Sequence, residues 1–334
     1  MALFLTEKDV ESLLTVPDAY AVLEAPIREQ GEGIASTRPR QISRMPDASV
    51  SVLQGAVPSI QSMGFKTYTV SPEGVRFWVL LFGGSGEMDA IIEAETLGMI
   101  RTGATAGIAT KYLSRKDSKT VGILGTGYQA PALLEAVCQA RKIEKILAWS
   151  PTRENVLKFC DRMTKKLGIP VEPADSPKTA VQAVDVVVTI TSAKDPVLQG
   201  DWLREGTHIN MVGAMKPAYR EADDRTIDRA NVLAADDWHQ TQEESGEFRK
   251  AAQEGRLDWA RVKELSAIVA GKVPGRTSEA DITLFKSLGI GLWDVTVARR
   301  IYDLAVQRKM GVHLPIEQKP KILGGGRSPE RMKP

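Results

Sequence analysis

The stretch Val121-Gly122-Ile123-Leu124-Gly125-Thr126-Gly127-Tyr128-Gln129-Ala130 decides the fold. An apolar run leads into small residues spaced G-x-G-x-x-A, and a helical pattern follows. Gly125 makes the tight turn off the strand. Gly127 lets the backbone approach a pyrophosphate, and the small Ala130 lets helix and strand pack closely. The helix then aims its N-terminal N–H groups at the phosphates. The same spacing also occurs in glycine-rich turns that bind nothing. Here a strand precedes it, a helix follows, and a second strand arrives at the right distance, so a bound nucleotide is the expectation.

From Lys119 onward strands and helices alternate: strand 120–124, helix 128–140, strand 144–149, helix 152–166, then a further set around 185–191 and 207–212. Such alternation implies a parallel, doubly wound sheet. Residues 237–270 read as helical and charged, 282–286 as another strand, and Trp293–Val306 as a helix. Toward the N-terminus, Thr6 caps a short apolar-periodic stretch (Val10, Leu13, Leu14). A longer helix after Pro17 sets Ala19, Val22, Leu23 and Ile27 on one face. The period then changes to two, giving strands at 49–54, 61–70, 75–83 and 87–92 separated by turns such as SPEG and GGSG. From Glu95 to about Leu113 the helical period returns, rich in Gly, Ala and Thr. The tail 314–334 has no periodicity and is expected to be mobile.

Composition narrows the function classes. Lys plus Arg number 44 against 42 Asp plus Glu, so a net charge of +2 offers no footprint for nucleic acid or for a membrane. The two cysteines, Cys138 and Cys160, lie in helical segments and cannot staple a chain of 334 residues; a reduced, cytoplasmic protein is expected. The opening MALFLTEKDVESLL turns polar by residue 6 and does not read as a signal peptide. No apolar run approaches the ~20 residues that span a bilayer. No cluster has metal-ligand spacing, and there is neither a nucleophile elbow nor a Walker loop. His208 reads as structural; His239 and His313 are isolated.

The end of the second strand bears on the cofactor. An NAD site places Asp or Glu there to bind the ribose 2′-OH. This chain reads Ile146-Leu147-Ala148-Trp149-Ser150-Pro151-Thr152-Arg153, with no carboxylate at the tip. Hydroxyls at Ser150 and Thr152 and the guanidinium of Arg153 suit a 2′-phosphate, so NADP(H) is expected over NAD(H). The same residues also serve as the cap and first turn of the next helix, and the two readings are compatible.

Several separated blocks resemble the ornithine cyclodeaminase/μ-crystallin family. They are Thr37-Arg38-Pro39-Arg40, Gly64-Phe65-Lys66-Thr67-Tyr68-Thr69, Met99 through Gly107 (MIRTGATAG), the GTGYQA loop, Thr207 through Ala214 (THINMVGA), and Phe285 through Asp294 (FKSLGIGLWD). Together they cover roughly residues 5–312. The resemblance implies an α/β fold in which a Rossmann domain, 117–300, is inserted into a mixed α+β substrate-binding and dimerisation domain made of 1–116 and 301–334. The last long helix, about 290–310, would return to the N-terminal part, through which family members form homodimers. On the cofactor side the expected residues are Gly125, Thr126, Gly127, Tyr128, Gln129, Ser150, Thr152 and Arg153, with Thr102, Val212, Ser287 and Gly289. The family includes cyclodeaminases, alanine dehydrogenases, ketimine reductases, opine-type dehydrogenases and iminosuccinate reductases, so it does not fix the activity.

Three basic residues are candidates for the substrate. Lys66 shares a strand face with Gly64, Tyr68 and Val70. A strand lysine is usually a solvated charge, but the matched family lysine lies against substrate and takes part in proton transfer or carboxylate binding. Arg101 has Leu97 and Thr105 as its i±4 neighbours, beside the apolar stripe, with Gly98, Gly103, Ala104, Ala106 and Gly107 allowing close approach. The resemblance implies a contact to a substrate carboxylate or a cofactor phosphate, against the plainer reading of an arginine paired at a domain boundary. Arg40 matches the family's carboxylate-binding position, with Arg38 and Arg44 nearby. Lys66 and Arg101 are therefore the expected catalytic residues, and Arg40, Lys66 and Arg101 the expected substrate-binding set. One position departs from the family: cyclodeaminases and the related alanine dehydrogenases carry an acid/base aspartate where this chain has Met215, which counts against ornithine cyclisation and, less strongly, against alanine-type deamination. The expectation is an NAD(P)H-dependent reductase of a small α-imino acid. The alternatives are a cyclodeaminase- or hydroxyproline-dehydratase-type lyase and a non-catalytic NADPH-binding protein.

Overall fold

The computed structural model describes residues 2–317. Most of the tail 314–334 lies outside them. Two sheets organise the chain. One is wholly parallel, in the order Val171–Pro173, Lys145–Trp149, Thr120–Leu124, Val186–Thr189, His208–Met211, Thr283–Lys286, Val232–Ala235 and Val262–Glu264. Four of its inner strands, Val186–Thr189, His208–Met211, Thr283–Lys286 and Val232–Ala235, are buried along their whole length. The chain leaves Thr120–Leu124 in one direction for two strands, then returns to pair Val186–Thr189 on the other side. Strand order thus reverses beside the glycine loop, and ligands of open α/β sheets bind in the crevice at such a point.

Two expectations shift. The helix after the glycine loop starts at Ala130 and not at 128, with Pro131 pre-setting the first turn. Residues 237–270 are not one helical run. Three short helices, Trp238–Glu244, Gly246–Gln253 and Leu265–Val269, surround the strand Val262–Glu264. This strand, Val171–Pro173 and Val232–Ala235 are too short to declare a period.

The second sheet is mixed. Its centre is an antiparallel meander, Ser49–Val57, Ser62–Ser71, Gly74–Gly83 and Met88–Glu93, where the period of two predicts it. Leu3–Leu5 and Val312–His313 extend one edge; Ser36–Thr37 and Gln41–Arg44 pair on the other. Thr6 forms a capping box with Asp9 at the first helix.

Two helices join the sheets. Glu95–Leu113 is buried on nearly all sides. A Cβ on Gly103 would lie 2.5 Å from the Ala132 backbone, and one on Gly107 2.6 Å from Ala136 O, so these glycines let it pack directly on the Ala130–Ala140 helix. Gly291–Arg308 lies across the meander and the Val16–Glu32 helix. Gly55 and Gly291 allow its first turn to touch the Ser49–Val57 strand. Among the described residues no helix is long and apolar enough to cross a membrane.

Candidate active site

Beyond the ends of Thr120–Leu124 and Lys145–Trp149 lies a cavity of about 780 Å³. Gly125, Thr126, Gly127, Ser150 and Thr152 line it, with Thr191 and Ser192 on the far wall. Gly125 has φ +106°, a conformation that glycine adopts without strain, and a Cβ there would collide with Ile190 O. A Cβ on Gly127 would meet nothing within 4 Å among the described residues, so the loop backbone is open at this cavity-lining position. Ser150 Oγ and Thr126 Oγ1 are hydrogen-bonded at 3.0 Å. A bare glycine backbone, a helix start and hydroxyls around a cavity of this size fit a dinucleotide.

The expected cofactor residues divide. The five just named line the cavity. Arg153 does not; its Nη1 donates to Ala174 O at 3.2 Å and pairs with Asp175 at 3.5 Å. The cationic residues that do line the cavity are Lys158 and Arg162, together with Asn155. Tyr128 is largely exposed, and Gln129 caps the helix without a side-chain hydrogen bond. Thr102 turns its hydroxyl onto Gly98 O, and Val212 and Ser287 are buried at strand ends.

The three basic candidates meet. Lys66 is buried, with Phe77 5.0 Å below its Nζ. Its Nζ donates to Asp294 Oδ1 at 3.4 Å, and Arg101 Nε donates to the same oxygen at 2.9 Å. Gly98 leaves room for Nζ: a Cβ there would lie 2.9 Å from it. Gly289, at φ +82°, does the same for the Arg101 guanidinium, at 2.6 Å. Neither Arg101 Nη has an acceptor among the described residues, so both Nη groups of a planar fork, four N–H donors, remain available. Burial pushes the Lys66 ammonium down to about 8; Asp294 opposes the shift, while Arg101 and Arg40 add to it.

Arg40, and not the exposed Arg38 or Arg44, turns inward. Its Nη1 donates to Glu244 Oε2 at 2.8 Å and its Nη2 to Leu288 O at 2.7 Å. Asp236 accepts the N–H groups of Leu288 and Gly289 at 2.6 and 2.5 Å, and burial pushes it up to about 6. Burial raises Glu244 to about 7. The loop after Thr283–Lys286, at the carboxyl edge of the parallel sheet, is thereby clamped against Arg101.

A second buried network holds the neighbouring turns. Glu221 accepts hydrogen bonds from Thr189, Thr191, Gly213 and Ala214, and Lys286 Nζ donates to Ala214 O at 2.6 Å. Met215 follows on that turn, about half exposed. His208 is fully buried against Thr283 Oγ1, its imidazolium disfavoured by burial down to about 3, which fits a structural role.

Residues 1–309 match the ornithine cyclodeaminase/mu-crystallin family. The chain belongs to this family. Among its relatives is a Δ1-pyrroline-2-carboxylate reductase of Bacillus cereus, 34% identical over 269 residues, which are 78% of this chain and 82% of that protein. The solved structure of the Thermococcus litoralis Δ1-pyrroline-2-carboxylate reductase, in complex with NADH and L-proline, is 34% identical. It superposes with a TM-score of 0.88, over 93% of this chain and all of that one. An archaeal alanine dehydrogenase dimer with bound NAD is 29% identical, TM-score 0.87, over 93% of this chain and 98% of that one.

For this family member, reading the sequence alone missed Asp294, Glu244, Asp236 and Glu221. Glu244, Asp236 and Glu221 show in the sequence only as acidic residues inside otherwise apolar or ordered segments; Asp294 also closes the FKSLGIGLWD block, which carried the resemblance without giving it a role. Asp294 in particular sits in the first turn of an apolar helix, where the helix dipole favours a carboxylate and a core does not.

Proposed function

We propose that this chain is an NAD(P)H-dependent reductase of a small α-imino acid, equivalently an amino acid dehydrogenase run in reverse. The observation that carries the reading is the buried Lys66–Asp294–Arg101 cluster, with the Arg101 Nη donors free, beside the carboxyl edge of a dinucleotide-binding sheet. Arg101 would grip the substrate carboxylate through its fork. Arg40, its guanidinium engaged by Glu244 and Leu288 O, would add positive potential and hold the loop. The cofactor supplies a hydride to the carbon bearing nitrogen. Lys66, titrating near 8, can give a proton to that nitrogen at neutral pH. Met215 cannot transfer a proton, which argues against cyclodeaminase chemistry.

The cofactor reading favours NADP(H) over NAD(H). The two solved relatives hold NADH and NAD, so the preference rests on this chain's own strand tip. Trp149 ends the strand where a carboxylate would sit, and Ser150, Thr152, Lys158 and Arg162 surround the space beyond it. A homodimer is proposed through the outer face of the meander. Val52, Phe65, Trp78, Leu80, Phe82 and Ile91 share that face, half exposed and outside the core beneath. The testing experiment is an NADPH-oxidation screen of cyclic imino acids, and of 2-oxo acids with ammonia or methylamine. Oxidation with at least one α-imino acid is expected; none across the panel would reject the reading.

A further inference from the structure

Asp294 is fully buried, accepts from both Lys66 and Arg101 through Oδ1, and has no hydrogen-bond partner for Oδ2 among the described residues. A buried carboxylate with an idle oxygen is costly unless charge holds it in place. Here the charges are named. Facing Lys66 are Asp294 from the Gly291–Arg308 helix, Arg101 from the Glu95–Leu113 helix and Arg40 from the segment before Gln41–Arg44; the Phe77 ring comes from Gly74–Gly83. Two of these are cations, and Asp294 is the anion among them.

We propose that Asp294 is the positioning residue of this site, holding Lys66 as an ammonium ion and Arg101 by its Nε edge so that both Nη groups face the substrate carboxylate. The inference rests on the proposed role of Lys66 as proton donor. Burial and two neighbouring guanidiniums all favour the neutral amine, and a neutral amine has no proton to give an imine. The carboxylate opposes them at 3.4 Å. In the step itself, the imine carbon gains as hydride the C4–H of a bound reduced nicotinamide, which is thereby oxidised, while the C=N π electron pair takes the Nζ proton. A Cα–H and an N–H bond form, Lys66 is left as an amine, and water returns its proton. Asp294 stays ionised throughout. The small residues Gly55, Gly98, Gly289 and Gly291 let the four groups come this close.

The test is a titration of the cofactor-free protein carrying ¹³C at the lysine ε-carbons. The resonance missing from Lys66→Met identifies Lys66, and its midpoint should lie near 8 in the natural protein. Asp294→Asn should lower the midpoint by about one to three units. The basic limb of kcat should move with it, and the KM for the imino acid should rise as Arg101 loosens. Asp294→Glu keeps the charge and should hold the midpoint closer to the natural value. An unmoved midpoint in Asp294→Asn overturns the inference. If that variant does not fold, the natural protein decides: a midpoint at about 5–6, where an unopposed buried lysine titrates, would mean that Asp294 contributes nothing. If Lys66→Met is fully active while the midpoints shift as expected, the proton-donor reading falls and the positioning by Asp294 stands.

Discussion

At the scale of single residues, the site turns on how burial changes a lysine. On a strand surface Lys66 would carry its charge at any physiological pH. Buried above Phe77, with two arginines adding to the shift and Asp294 opposing it, its ammonium is pushed down to about 8, so that form is full below this pH and is lost as pH rises through it. Imine reduction uses the ammonium form, so kcat should be flat below 8 and fall above it. Amine oxidation, the reverse, should rise through the same pH. Lys66→Met should lower turnover by about 10²–10⁴-fold, the usual scale of general acid catalysis. Lys66→Arg should not restore it, since a guanidinium keeps its proton. Recovery by Arg, with the Met variant altered mainly in KM, would instead assign Lys66 to carboxylate binding. The cofactor prediction also belongs here. Arg162→Ala and Lys158→Ala should weaken NADPH more than NADH, because a cation meets the 2′-phosphate and NADH has none; equal losses would reject NADP(H) preference. Of these residues the sequence showed Lys66, Arg101 and Arg40, because they recur in recognisable blocks. It pointed to Arg153 where the helix periodicity instead turns Asn155, Lys158 and Arg162 to the cavity. Asp294 lies in such a block too, but its role exists only once residues 66, 101 and 294 meet across three elements.

At the scale of elements, the Glu95–Leu113 helix couples the two halves of the site. Its N-terminal part carries Gly98 and Arg101 to Lys66, and its middle packs Gly103 and Gly107 onto the helix that presents the glycine loop. Gly103→Val would force its side chain into the Ala132 backbone, an overpacking that costs about 1–3 kcal/mol. The expected outcome is a lowered melting temperature together with raised KM for both cofactor and imino acid. A normal melting temperature with unchanged KM values would show that the helix pair tolerates separation. This helix was legible at both ends, since small residues with a helical period read clearly. The strands Val232–Ala235 and Val262–Glu264 were not. At three or four residues, flanked by charged turns, they owe their strand conformation to the neighbouring strands they pair with rather than to their own pattern.

At the scale of the whole molecule, the outer face of the meander is too apolar to suit water alone. Phe65 and Leu80 are cross-strand partners at its centre, and Leu80 pairs Ile91. Leu80→Lys should therefore yield monomers by light scattering while the natural protein runs as a dimer. A dimer that survives this change would place the interface elsewhere. The meander and the five longer strands of the nucleotide sheet were foreseen from period and alternation. The point where they meet was not, because it depends on glycines that allow contact without naming the partner. In an imine reductase, hydride passes from a nicotinamide to the carbon of a C=N bond and stays there. The most direct measurement uses NADPH deuterated at the transferable C4 position, with a cyclic α-imino acid, and reads the product by mass spectrometry. One deuterium at Cα for each cofactor oxidised is the predicted result. An amino acid formed without deuterium and without net cofactor oxidation would contradict it and assign the chain to lyase chemistry.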